Sequence, residues 1–190
     1  MPISTELFPV LLAGLIFIVV PGTDCALTLR NTLTYSREAG LFTALGISTG
    51  YAIHSTYSLL GIGTIVWQFP FMFQFLKIGG AIYLIYLGIR SFKGKKGTAL
   101  KYQKNIDRPT MNKLTAFRIG LVGNLLNPKA LIFFPALFTQ IIHLDTLLIT
   151  QIICGLSFSL LALVWFSSLV VSVSQKWFQS SRLQSSHLVD

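Results

Sequence analysis

The chain has 190 residues, of which 53% are hydrophobic and only 11% are charged, and its mean hydropathy is +0.68. A soluble domain carries about 25% charged residues, so this composition excludes an ordinary soluble domain and indicates an integral membrane protein with one membrane domain. The net charge of +9 does not indicate a nucleic-acid partner, because the basic residues are concentrated in one connecting segment, 93–118.

The first predicted span is 7–30, and its residues 7–29 are apolar except for the interruption Pro21-Gly22-Thr23-Asp24. Charge at membrane depth is expensive, so an ionisable group there usually marks a substrate or ion path. The N-terminus lacks a basic n-region, and the span is too long for a signal-peptide core, so we expect it to stay in the mature protein.

The second span, 40–65, carries a polar stripe that could line a path or join helices through hydrogen bonds. The stripe consists of Ser48, Tyr51, Ser55 and Ser58. Gly46 and Gly50 in the same span predict a close helix contact, as Gly120 does further along. In the third span, 71–91, Lys77 lies two turns from the start, where it could snorkel to the surface.

A basic loop, 92–113, follows the third span. An excess of Lys and Arg beside a span predicts the cytoplasmic side, so we expect this loop to be cytoplasmic. Alternation of the spans then places the N-terminus outside and the polar C-terminal tail, 176–190, in the cytoplasm.

The fourth span, 114–140, is interrupted by Asn127-Pro128-Lys129, and the fifth covers 147–173. Lipid offers no partner to open backbone, so all five spans must be helices. We therefore predict an all-α polytopic membrane helix bundle with five transmembrane helices within residues 1–175. Two cysteines, Cys25 and Cys154, fall in spans without metal or disulfide spacing.

An internal repeat is suggested by the two interruptions. Aligning Pro21 with Pro128 gives an offset of 107 residues, which maps span one onto span four and span two onto span five. An odd number of spans in each unit predicts oppositely oriented halves, as in inverted-repeat transporters. Span three maps to 178–198, where the sequence is too polar to insert. The second unit of the predicted three-helix repeat therefore lacks its third helix, which would be the sixth helix of the bundle. It is missing either by nature or through truncation.

Several motifs occur in an order and spacing that resemble the lysine exporter (LysE/RhtB) family, which exports amino acids and homoserine lactones. They are Pro21-Gly22-Thr23-Asp24, Ala44-Leu45-Gly46-Ile47-Ser48-Thr49-Gly50, Leu76-Lys77-Ile78-Gly79-Gly80 and Gly123-Asn124-Leu125-Leu126-Asn127-Pro128-Lys129. The chain departs from the family pattern at Thr23, where members typically carry a second proline, and in lacking the usual sixth helix.

An exported amino acid is a zwitterion, so a site at membrane depth must neutralise an ammonium and a carboxylate. Asp24 could accept the ammonium, and Lys129 could pair with the carboxylate. The half-helix N-termini after Pro21 and Pro128 could add backbone N–H donors. The alternative is a structural ion pair between Asp24 and Lys129, or a Lys129 that snorkels to the lipid surface.

Proton coupling needs a group that titrates, and Asp24 is the only acid within a predicted span. His54 is the second candidate, although a lone histidine in a span is more often an interhelical hydrogen-bonding residue. The predicted substrate- and ion-binding residues are Pro21, Gly22, Asp24, His54, Asn124, Asn127, Pro128 and Lys129. The sequence predicts no metal site, no cofactor and no catalytic residue.

The preferred function is secondary export of an amino acid or a related metabolite, such as homoserine, threonine, lysine or homoserine lactone, across the inner membrane by proton antiport. A phosphate-binding loop for ATP is absent from the sequence, and so are the His-Glu-x-x-His and Gly-x-Ser-x-Gly motifs of an intramembrane enzyme. The competing hypothesis is a truncated, non-transporting remnant or an accessory membrane protein. The expected partners are the substrate, the coupling proton and the bilayer, with a homo-oligomer left open.

Overall fold

A computed structural model describes residues 4–69, 71, 74–75, 78–79, 81–82, 85, 109–141 and 146–186. All helices with defined bounds in this part are α-helical, namely α1 Ser4–Val19, α2 Thr23–Thr34, α3 Arg37–Gln68, α4 Lys113–Leu125, α5 Pro128–Ile141 and α6 Leu148–Ser186. The all-α prediction is therefore confirmed for the described residues. Most of the predicted third span with Lys77, most of the basic loop and the last residues of the tail lie outside them.

Both predicted interruptions break a helix. The axes of α1 and α2 differ by 56°, and those of α4 and α5 differ by 60°. Proline causes both breaks, because it lacks the N–H that a continuing helix would need and its ring clashes with the preceding turn. Pro128 is the first residue of α5, a position where the missing N–H is tolerated.

The number of membrane spans remains a prediction. Among the described residues, Leu148–Gln175 of α6 is the one helix long and apolar enough to cross a bilayer, and there are up to three spans if each bent pair counts as one. The inverted orientation of the two halves likewise remains a prediction. Helix α6 continues to Ser186, so the tail, predicted as polar from residue 176, begins as an extension of this helix.

Helix α3 lies at the centre of the bundle and contacts α2, α4, α5 and α6. Its contact with α4 is made through glycine. A Cβ on Gly46 would collide with the carbonyl oxygen of Phe117, and one on Gly120 would collide with that of Thr43. The predicted close helix contact is therefore confirmed, and it brings the backbones of α3 and α4 together just before the second break.

Aromatic side chains fill the core beside the two breaks. The Phe17 ring of α1 stacks on Phe133 of α5 with 3.8 Å between centroids. Phe134 of α5 meets Phe158 of α6 edge to face at 4.7 Å. Because Phe17 precedes the first break and Phe133 follows the second, this cluster holds the two broken helices against each other.

Candidate functional site at the two helix breaks

Asp24 lies in the first turn of α2 and is only 5% exposed. Its Oδ2 atom accepts three hydrogen bonds, from the Tyr51 hydroxyl at 2.5 Å, from Asn124 Nδ2 at 3.0 Å and from Asn127 Nδ2 at 3.1 Å. The other carboxylate oxygen, Oδ1, is buried and has no hydrogen-bond partner among the described residues. Residues of α3, of α4 and of the second break thus converge on one oxygen and leave its twin available.

The two asparagines of the second break are tied to the first break through Asp24. Asn127 also accepts a hydrogen bond from the Lys129 backbone N–H at 3.0 Å, so its side chain caps the N-terminus of α5. Asn124 is fully buried, and its Oδ1 lies against Gly50 without a hydrogen-bond partner in the described part of the chain.

Lys129 caps the C-terminus of α1. In a continuous helix the Phe17 carbonyl would accept from the N–H of residue 21, but Pro21 has none. The Lys129 ammonium takes this place, with Nζ 2.8 Å from the Phe17 oxygen and 3.1 Å from the Val20 oxygen. It also lies 4.3 Å from the centroid of the Phe17 ring. A cation at a helix C-terminus is further stabilised by the helix dipole.

His54 binds a carbonyl at the second break, where α4 ends. The N–H that would bind the Asn124 carbonyl in a continuous helix belongs to residue 128, which is proline, and this carbonyl accepts instead from the Asn127 backbone N–H at 2.9 Å. His54 Nε2 lies 3.1 Å from that carbonyl oxygen. A carbonyl only accepts, so Nε2 carries the proton, and in the neutral ring Nδ1 accepts from the Tyr57 hydroxyl at 2.8 Å. His54 is fully buried and contacts α4 through this atom. The contact agrees with the alternative given above, that His54 is an interhelical hydrogen-bonding residue.

Asp24 and Lys129 thus each bind residues at the break in the other bent helix pair. Lys129 follows the second break and binds α1, whereas Asp24 follows the first break and binds the residues of the second. Pro21 and Gly22 shape the chain here, and a Cβ on Gly22 would be in ordinary contact with the Lys129 side chain. The binding roles of all these residues remain predictions.

The polar stripe of α3 divides into two parts. Ser48 and Ser159 of α6 donate to each other's backbone carbonyls, with 2.6 Å from Ser48 Oγ to the Ser159 oxygen, so this serine joins helices. Ser55 and Ser58 are also buried, but their hydroxyls have no hydrogen-bond partner among the described residues. Ser55 lines a cavity of about 130 Å³ between α3 and α6.

Sequence reasoning missed a set of buried polar residues on α2 and α3. Thr28, Asn31 and Thr32 of α2 and Thr43 of α3 are all buried. The signal was present in the sequence, because Thr28 and Asn31 follow Asp24 at helical spacing and so share its face.

The family is decided by a direct comparison. The chain matches the family model described as "LysE type translocator" over residues 15–189. This protein belongs to the LysE type translocator family. The resemblance stated above is confirmed, and the family identifies a membrane transport protein.

Three similar proteins are described as uncharacterised membrane proteins. YrhP of Bacillus subtilis is 33% identical over 175 residues, which cover 88% of this chain and 83% of YrhP. A membrane protein of Vibrio cholerae is 30% identical over 70% of this chain and 62% of its own length. YahN of Escherichia coli is 27% identical over 76% of this chain and 64% of its own length. No solved structure matches the chain.

Proposed function

We propose that this LysE-family protein is a secondary transporter that exports amino acids or related small metabolites across the inner membrane by proton antiport. The observation that carries the proposal is the Oδ1 atom of Asp24, which is buried where the two broken helices meet and has no hydrogen-bond partner among the described residues. A buried acceptor left unpaired costs about 1–3 kcal/mol, and more when it is charged. A hydrogen-bond donor at this atom would remove that cost, and a substrate ammonium or a proton can provide it.

Antiport follows if both ligands use the same carboxylate. A proton and an ammonium each neutralise Asp24, and one excludes the other. Three donors from Tyr51, Asn124 and Asn127 hold the Oδ2 atom, so they fix the direction in which Oδ1 faces its ligand. Exchange of substrate for proton at one charged group is the simplest physical basis for coupling.

The substrate carboxylate would be bound by Lys129 and the N-terminus of α5. To reach it, the Lys129 ammonium would have to leave the Phe17 and Val20 carbonyls that it now caps. Substrate binding would then loosen the C-terminal end of α1. The proposal therefore links occupancy of the site to the geometry of the first break.

The proposed orientation has the N-terminus outside and the basic loop in the cytoplasm. This orientation assumes that successive spans cross the membrane in alternating directions, and two contacts are consistent with it. Glu38 at the start of α3 pairs with Lys113 at the start of α4 at 2.6 Å, so two ends expected inside lie together. The Thr146 hydroxyl donates to Glu6 at 2.7 Å, so two ends expected outside also lie together.

The test is efflux by the Asp24→Asn variant. Inverted membrane vesicles would be assayed for uptake of a panel of radiolabelled amino acids with and without an imposed pH gradient. Asn keeps the shape and one oxygen but cannot neutralise an ammonium or exchange a proton. We expect gradient-driven transport to disappear while the variant still inserts into the membrane.

The matched control is Glu38→Gln, which removes an acid whose side chain is more than half exposed at the end of the bundle. It should transport like the wild type. Normal pH-dependent transport by Asp24→Asn would reassign Asp24 to a structural role. If the wild type moves no amino acid of the panel, the proposed substrate class is wrong.

A further inference from the structure

Helix α2 buries its polar face and leaves its apolar residues more exposed, the reverse of an amphipathic helix in a soluble protein. Its fully buried side chains are all polar, namely Asp24, Thr28, Asn31 and Thr32. Its leucines at 27, 29 and 33 are only half-buried. In a membrane protein a polar face turned inward lines the bundle interior or a water-filled path. This face packs against α3, α4 and α6.

The hydroxyl groups of this face point their hydrogens away from it. Thr28 Oγ1 donates to the Asp24 carbonyl at 2.8 Å, and Thr32 Oγ1 donates to the Thr28 carbonyl at 2.7 Å. On α3, Thr43 Oγ1 donates to the Ala39 carbonyl at 2.8 Å. A hydroxyl whose hydrogen is bound to its own helix offers only lone pairs to its surroundings.

Asn31 extends the pattern. It is fully buried, and its Nδ2 donates to Thr43 Oγ1 at 2.8 Å, while its Oδ1 has no hydrogen-bond partner among the described residues. Asp24 Oδ1 is likewise unpartnered there. The two residues share one face of α2 and are separated by seven positions, about 10.5 Å along the helix axis.

We propose that Asp24, Thr28 and Asn31 of α2, with Thr43 of α3, form an acceptor stripe along which a monovalent cation reaches Asp24 from the end of the bundle that holds Lys113. Asn31 Oδ1 is an intermediate binding station on this route. The inference rests on the proposed function, in which Asp24 is the coupling group, and adds the route and the class of ion. Hard cations favour carboxylate, amide and hydroxyl oxygens. An anion would find few donors here, because the Asn31 amide nitrogen already donates one of its two N–H groups to Thr43. Sodium and hydronium share this chemistry.

The first test measures the charge selectivity of the route without any transported substrate. Cys25 and Cys154 are replaced by alanine, and Thr28→Cys is introduced in the full chain. Open membrane fragments are then treated with thiosulfonate reagents that carry either a trimethylammonium or a sulfonate group. A lining of one sign raises the encounter rate of the opposite charge, so the cationic reagent should react at least about tenfold faster.

The control is Ala26→Cys, on the opposite, exposed face of α2. It should react with neither reagent, because that face meets lipid. Equal rates for both charges at Thr28→Cys, or no reaction at all, would overturn the proposal. A wild type that exports no amino acid would instead count against the proposed function and leave this measurement unaffected.

A matched pair of variants tests the station at Asn31. Asn31→Leu and Thr43→Val both abolish the hydrogen bond between these residues, but only Asn31→Leu removes the Oδ1 atom. Each is combined with Thr28→Cys. We expect Asn31→Leu to lower the ratio of cationic to anionic labelling more than Thr43→Val does, because Thr43→Val removes one hydroxyl of the stripe but leaves the Asn31 Oδ1 atom in place. If both lower the ratio equally, Asn31 only ties two helices together, and the station is refuted.

Sodium chloride and choline chloride at equal ionic strength then distinguish the two sources of the cation. Slowing of the cationic reagent by sodium but not by choline assigns the stripe to sodium. Equal rates in the two salts, with the charge selectivity intact, assign it to hydronium carried by water.

Discussion

Replacing Lys129 by methionine separates a structural role of this residue from a role in binding substrate. Methionine keeps an unbranched apolar stem of similar length but removes the ammonium group. The Phe17 and Val20 carbonyls, which Lys129 Nζ contacts at 2.8 and 3.1 Å, would lose this donor. Pro21 cannot replace it, because proline has no N–H.

The expected loss of stability follows from those contacts. A hydrogen bond to a charged group contributes about 1.5–3 kcal/mol, and Lys129 is only half-buried, so the pair of bonds should contribute about 2 kcal/mol. For a protein of this size, that difference lowers the melting temperature by about 4–8 °C. Lys129→Arg keeps the charge and the donors on a bulkier head group and should recover part of the loss.

The assay is thermal unfolding of the purified full chain in detergent, followed by tryptophan fluorescence, together with the vesicle transport assay. A Lys129→Met variant that melts like the wild type but no longer transports would refute the capping role and identify Lys129 as a substrate ligand. A variant that loses stability, with Lys129→Arg intermediate in melting temperature, supports the cap.

Three further predictions concern packing, orientation and the second break. Gly46→Ala should lower the free energy of unfolding by about 1–3 kcal/mol, because its Cβ would collide with a backbone carbonyl of α4. The control is Gly61→Ala, whose Cβ would meet nothing within 4 Å in the described part of the chain; thermal unfolding should show no loss, or a gain of up to about 1 kcal/mol. Fusions of a topology reporter should read as cytoplasmic at Lys104 and external at Pro70, and the reverse pattern would overturn the proposed orientation. His54→Leu should lower the melting temperature more than His54→Gln, because the glutamine amide can still donate to the Asn124 carbonyl at the end of α4. Equal losses in the two variants would show that this hydrogen bond contributes little.

The positions of the helix breaks could be predicted from the sequence, because the effect of proline is local. Pro21 and Pro128 remove an N–H and distort the preceding turn, and each adjoins a residue that favours a break, Gly22 and Asn127. Pro9 and Pro135 have only apolar neighbours and lie inside α1 and α5. The same holds for the membrane class, which follows from summed hydropathy, and for the close approach of helices at Gly46, where a missing side chain leaves room. These inferences need only neighbouring residues in the chain.

The partners at the breaks could not be predicted in this way. The Phe17 carbonyl, which loses its helical donor at Pro21, is capped by Lys129, 112 residues further along the chain. The Asn124 carbonyl, which cannot bind to Pro128, also contacts His54, 70 residues earlier in the chain. Local rules say that a carbonyl is left without its N–H, but they do not say which distant donor comes within 3 Å. That choice depends on how α3, α4 and α5 pack, and packing is a property of the folded bundle as a whole.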